Sequence, residues 1–177
     1  MGSMRSLTEV SDEDWDLWRS FVAMHRQLAR ELDRQLQRDA AISQADFSVL
    51  LVLSEAPDRK LRTGELAELL AWEKSRVSHQ VTRMESRGLL ERTDCDTDGR
   101  GTWVGLTADG RRTLLGAARE HAAAIRDLFF DNLQQGEKAA LAGASARILE
   151  RINPEACDLA DEQGMARSRR GPRTSAA

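Results

Sequence analysis

Apolar residues recur at helical spacing over most of this chain and at strand-like spacing in one short stretch only. Ser11-Asp12-Glu13-Asp14 reads as a capping box with acids in the first helical turn. From it runs a stripe of Trp15, Trp18, Val22, His25, Ala29, Leu32 and Leu36, with Leu17, Phe21, Met24 and Leu28 as a second stripe beside it. A helix apolar over so wide an arc buries two sides, one against its own domain and one against a partner. Ser43-Gln44-Ala45-Asp46 caps a second helix carrying Phe47, Leu50, Leu51 and Leu53, ended by Pro57. Thr63 caps residues 64–71, in which Leu66, Ala67, Leu69 and Leu70 supply the buried side.

A fourth helix starts at Lys74, with Val77, Val81 and Met84 at i, i+4 and i+7 on one face. Gly88 follows where a left-handed C′ residue is expected. Residues 89–93 and 102–107 then read as two strands joined by the loop 94–101. Thr107 caps a long helix with Leu114, Leu115, Ala118, His121, Ala122, Ile125, Leu128 and Phe129 inward. After a break near Gly136 a last helix carries Leu141, Ala144, Ile148 and Ile152, stopped by Asn153-Pro154. The predicted fold class is mainly α with a small β-hairpin wing. Two short helices, a tight turn and a hairpin in direct succession are the layout of a winged helix-turn-helix.

The polar face of the Lys74 helix carries the candidate chemistry. Arg76, His79, Gln80 and Arg83 are read as sharing the side opposite Val77, with Lys74, Ser75, Ser78 and Thr82 nearby and Glu85 the only acid from Lys74 to Arg87. Arg suits guanine O6 and N7, Gln suits adenine, and Ser or Thr serves base or phosphate. A solvated face on an ordinary surface helix would look similar. The cationic and amide bias, together with the hairpin that follows, favours duplex DNA, with Thr63 at the preceding helix start as a further contact. On the hairpin loop, Arg100 beside Asp98 suits a minor groove, with the carboxylate holding the guanidinium in place.

The run Asp98-Gly99-Arg100-Gly101-Thr102-Trp103-Val104-Gly105-Leu106-Thr107, followed by Gly110, resembles the D-x-R-x-x-x-V-x-L-T-x-x-G wing of the MarR (multiple antibiotic resistance regulator) family. Arg83 through Arg92, with Gly88-Leu89-Leu90 between, is similar to that family's recognition-helix exit and first wing strand. The resemblance implies a homodimeric, ligand-responsive transcription factor, usually a repressor. It also implies a small, often aromatic effector bound between the dimer helices and the DNA lobe. Trp15, Trp18, His25 and Phe47 are candidates for lining that pocket, although ordinary core aromatics would read the same way.

On this reading Met1-Gly2-Ser3 is a cloning remnant, and residues 4–153 form one domain. Within it, 11–38 and 107–153 are dimerisation helices and 43–106 the winged DNA-binding lobe. Helices contributed by both chains would give a two-fold interface and place two recognition helices about 34–36 Å apart, matching a pseudo-palindromic operator. Residues 154–177 lose periodicity, carry Arg167, Arg169, Arg170 and Arg173, and are read as a disordered basic tail.

Charge changes the picture modestly. The net charge is −3, and residues 58–112 hold 11 basic and 10 acidic side chains, so the lobe itself is only +1. Attraction to phosphate must come from one local face. With no apolar run near membrane-spanning length and no secretory signal, a cytoplasmic protein is expected. No phosphate loop, nucleophile elbow or HExxH motif is present, so no enzyme and no cofactor are expected. His25, His79 and His121 lack metal-ligand spacing. Two alternatives stay open: a winged helix used for protein docking, and redox sensing through Cys95. The latter is opposed by Asp94 and Asp96, which flank that thiol and disfavour a thiolate.

Overall fold

A computed structural model describes residues 10–94 and 102–153. It is mostly helical and divides into two compact units, one up to Phe129 and one from Phe130 onward.

In the first unit α1 (Asp12–Ala40) begins on Ser11, whose hydroxyl accepts the Asp14 N–H, with Asp12, Glu13 and Asp14 on the positive end of the helix dipole. It ends at Ala41, a left-handed residue with φ 53°. α2 (Gln44–Glu55) opens on the capping box expected of Ser43 and Asp46. Phe47, Val49, Leu50 and Leu53 bury it on more than one side, and burying each such side chain contributes about 1.5–3 kcal/mol. α3 (Thr63–Leu70) and α4 (Lys74–Ser86) follow. The turn between them is set by Ala71, left-handed at φ 51°, and by the Trp72 N–H donating to the Ala67 carbonyl at 2.9 Å.

α4 closes as the sequence predicts. Gly88 adopts φ 71°, its N–H donates to Glu85 O at 2.9 Å, and the Leu89 N–H donates to Met84 O at 3.0 Å. That pair of bonds is a Schellman closure, and it turns the chain straight into a strand. β2 (Leu90–Asp94) and β3 (Thr102–Leu106) pair antiparallel with Arg92 opposite Val104. The expected hairpin is therefore present, its strand bounds differing from the predicted ones by one residue.

A third strand joins the hairpin without having any signature in the sequence. β1 (Lys60–Arg62) pairs antiparallel with β3, Leu61 facing Val104, which gives the sheet order β1-β3-β2. Its three residues contain one buried side chain, Leu61, too little to produce a period. The start of α3 also moves: Arg62 is the N-cap and Thr63 the first helical residue, with Glu65 accepting the Arg62 N–H at 2.7 Å.

α5 (Ala108–Leu128) is capped by Thr107 and packs on α1 and α2. Leu114, Ala117 and His121 face inward, but Leu115, Ala122 and Leu128, expected on the same side, are exposed in this chain. Successive residues lie about 100° apart on a helix, so Leu114 and Leu115 cannot share a narrow buried face. The core gathers Leu36, Leu50, Leu66, Val77, Met84 and Val104 from five elements.

The second unit holds α6 (Glu137–Ile152), entered at Gly136 and ending against Asn153, with Ile148, Leu149 and Ile152 exposed. Among the described residues no helix is long and apolar enough to cross a membrane, and no group of His, Cys, Asp or Glu could hold a metal ion.

Candidate nucleic-acid interface

α4 is held from behind by Val77, Val81 and Met84, all fully buried. That leaves Lys74, Ser75, Arg76, Ser78, His79, Thr82 and Arg83 exposed along its outward arc. Its first turn contains no acid, and the exposed Glu73 at its N-cap makes no side-chain cap bond, so the backbone N–H groups of that turn are not occupied by a capping side chain. Thr63, at the start of α3, is half-buried.

Gln80 departs from expectation. It is buried, and its amide donates to Asp46 Oδ1 of α2 at 2.5 Å. It belongs to the support of α4 rather than to its open face, because a residue at i+3 from Val77 and i−4 from Met84 lies on the flank of the buried arc. Its carbonyl oxygen accepts from the Arg83 guanidinium, so Arg83 is exposed but anchored at one N–H. Asp46, itself buried, also accepts from Arg87 Nη1 at 2.9 Å and from the Ser43 backbone N–H at 2.9 Å. Arg87 reaches on to the Ala41 carbonyl at 2.6 Å. The start of α2 and the exit of α4 are thus tied through one carboxylate.

A second brace comes from β2. Arg92 pairs with Glu85 at 2.8 Å and donates to Thr82 Oγ1 at 2.9 Å. This removes the one acid of α4 from play as a repulsive group toward phosphate. On the sheet face that carries Trp103, Lys60 Nζ and the Arg62 guanidinium carbon lie 5.5 and 5.4 Å from the indole centroid. Arg76 lies closer still to an aromatic ring, its guanidinium carbon 4.0 Å from the centroid of Trp72.

Sequence reasoning picked out the outward cations of α4 but missed these supports. Asp46 was legible only as a cap, Arg92 as a strand residue, and Trp72 as part of a turn. The wing residues Asp98 and Arg100, and the thiols Cys95 and Cys157, lie outside the described residues.

The four pocket candidates do not line one cavity of a single chain. Trp15, Trp18 and His25 stand on the exposed first half of α1, where Trp18, Phe21 and His25 form a run of stacked rings. Phe47 is buried in α2, 4.6 Å from the His121 ring, and His121 is bonded to Gln35 of α1 at 2.9 Å. Gln35 is 17 residues beyond Trp18 on one helix, a separation of about 25 Å. Burial lowers the pKa of His121 from the ordinary histidine value of 6.5.

The MarR family model matches residues 42–101. Two solved structures from Streptomyces coelicolor are similar over most of the chain. The MarR family transcriptional regulator Sco3205, solved in complex with DNA, is 35% identical with a TM-score of 0.79, covering 83% of this chain and 92% of that one. The regulator AbsC is 32% identical with a TM-score of 0.77, covering 83% and 99%. A mutant MarR from E. coli, complexed with operator DNA, shares the fold at 24% identity and a TM-score of 0.70, covering 80% and 99%. No curated sequence matches. With a third of its residues identical to Sco3205 across four fifths of its length, and a TM-score of 0.79 to it, this chain belongs to the MarR family of transcriptional regulators.

Proposed function

We propose that this protein is a homodimeric regulator that binds a pseudo-palindromic operator in duplex DNA, with α4 in the major groove and the loop 94–101 at the minor groove. The observation that carries the reading is the outward arc of α4: Lys74, Ser75, Arg76, Ser78, His79 and Arg83 exposed together on a helix braced by Asp46 and Arg92. Rigid support matters because base edges are read by side chains held to a fraction of an ångström. Thr63 at the start of α3 suits phosphate and Arg100 the minor groove, with Asp98 fixing the arginine.

The dimer is supported by α1, whose Trp15, Leu17, Trp18, Phe21 and Met24 are 37–70% exposed in one chain. A contiguous apolar face of that size is the kind a second copy covers. Repression, and its release by a small aromatic effector, follow the family resemblance. The exposed Trp15, Trp18 and His25, and the separate Phe47–His121 contact, are the places to look for that ligand. The protein acts in the cytoplasm on this reading.

A mobility-shift titration on the DNA flanking its own gene, repeated across salt concentrations, tests the proposal. Sequence preference with steep salt dependence is expected. Binding to no duplex would leave a protein-docking winged helix as the better account. Arg100→Ala should weaken binding while leaving the fold intact, and unchanged affinity would remove the minor-groove role.

A further inference from the structure

We infer that Arg76 is the base-reading arginine of α4 and that Trp72, just before the helix, is its positioning residue. This rests on the DNA-binding reading above and divides labour between two arginines that the sequence leaves equivalent. Arg76 stands in the first turn of α4, the part of a recognition helix that reaches base edges. Its guanidinium lies over the Trp72 ring at 4.0 Å. Stacking occupies a face of the guanidinium and leaves its N–H donors, which all lie in the plane, pointing outward as a fork. That fork fits guanine O6 and N7.

Trp72 can act as a fixed platform because it is itself fixed. Its backbone N–H is bonded to Ala67 O at 2.9 Å, and its half-buried ring packs against the core cluster. An arginine already confined to one pose loses less rotamer freedom when it binds. Arg83 is built differently. It spends an N–H on the Gln80 amide, which in turn holds Asp46. Turned sideways along the helix, it suits a phosphate rather than a bidentate contact to a base.

The test uses the full-length protein and a duplex it selects from a randomised pool, together with a panel of single base-pair changes in that duplex. Trp72→Leu should flatten the preference at one G·C pair of each half-site by about two- to fivefold, the range expected from losing an exposed cation–π stack. Affinity for unselected DNA should hold. Trp72→Phe should restore most of the preference, and the effect should vanish in an Arg76→Ala background. Arg83→Ala should weaken all duplexes alike and lower the salt slope by about one. Thermal unfolding of each variant identifies a loss of fold.

The inference is overturned if Trp72→Leu weakens all duplexes equally, or if its effect persists without Arg76. It is also overturned if Arg83→Ala, and not Arg76→Ala, abolishes the preference for one base. If the unaltered protein selects no sequence from the pool, the regulator reading falls and this inference with it.

Discussion

The Thr107 hydroxyl donates to the Gly88 carbonyl at 2.7 Å, joining the N-cap of α5 to the residue that ends α4. The same oxygen accepts the Gly110 N–H at 3.0 Å as it caps α5. One side chain therefore caps one helix and fixes the exit of the other. Thr107→Val keeps the shape and removes both roles. It should cost about 1–2 kcal/mol, read as a lower denaturant midpoint with an unchanged slope. Thr107→Ser should retain most of that stability, since it keeps the hydroxyl.

Gly110 is required for the closeness of this joint. A Cβ there would stand 2.1 Å from the Leu89 carbonyl oxygen, a backbone atom that cannot rotate away. Gly110→Ala should destabilise by about 3 kcal/mol through forced separation of α5 from the α4–β2 link. Gly116, on the same helix, has nothing within 4 Å of a Cβ. Gly116→Ala should instead stabilise by about 0.5–1 kcal/mol, from helix propensity alone. Equal effects in the two variants, measured by chemical unfolding, would refute the steric account.

Thr107 and Gly110 also show how far the sequence could be read. Their place in the L-T-x-x-G run pointed to the wing, but the reason for the pair appears only when α4's exit is seen against them. Helical spacing located α1, α2, α4 and α5, because apolar stripes of three and four residues survive without coordinates. Spacing also contained the answer for Gln80, three residues after Val77 and four before Met84. Polarity argued it outward, and its buried partner Asp46, 34 residues away, was not legible. Arg92 was hidden the same way. Strand alternation sets it on the side of Leu90, yet a cation there makes sense only once Glu85 and Thr82 are known to be opposite. Pairings of long sequence separation leave no local pattern.

Asp46 is the most consequential of these hidden residues. It is 4% exposed and receives Gln80, Arg87 and the Ser43 backbone. Asp46→Ala should cost about 2–3 kcal/mol; the upper end of the buried-pair range is not reached because the Arg87 side chain is 42% exposed. DNA affinity should fall further than stability explains, as α4 loses its tether to α2. Equal unfolding midpoints for Asp46→Ala and the unaltered protein would remove the network from the argument. A stability loss with unchanged DNA binding would confine the network to folding.

His121 predicts a pH dependence of stability. Gln35 donates its amide N–H to Asp39 at 2.9 Å, which leaves its oxygen toward His121. The imidazole must then donate through Nδ1–H, and it sits against Phe47 in a buried position. Burial disfavours the charged ring, so its pKa in the folded chain lies below the 6.5 of an unhindered histidine. Between those two values the unfolded chain binds a proton that the folded chain refuses. The stability from a neutral His121 is therefore complete above about pH 6.5 and erodes as pH falls below it. The slope cannot exceed one proton, about 1.4 kcal/mol per pH unit. His121→Gln keeps a donor toward Gln35 and cannot titrate. Its unfolding free energy should lose that part of the slope below pH 6.5. Parallel pH profiles for the two proteins would show that the ring is not held neutral by the fold.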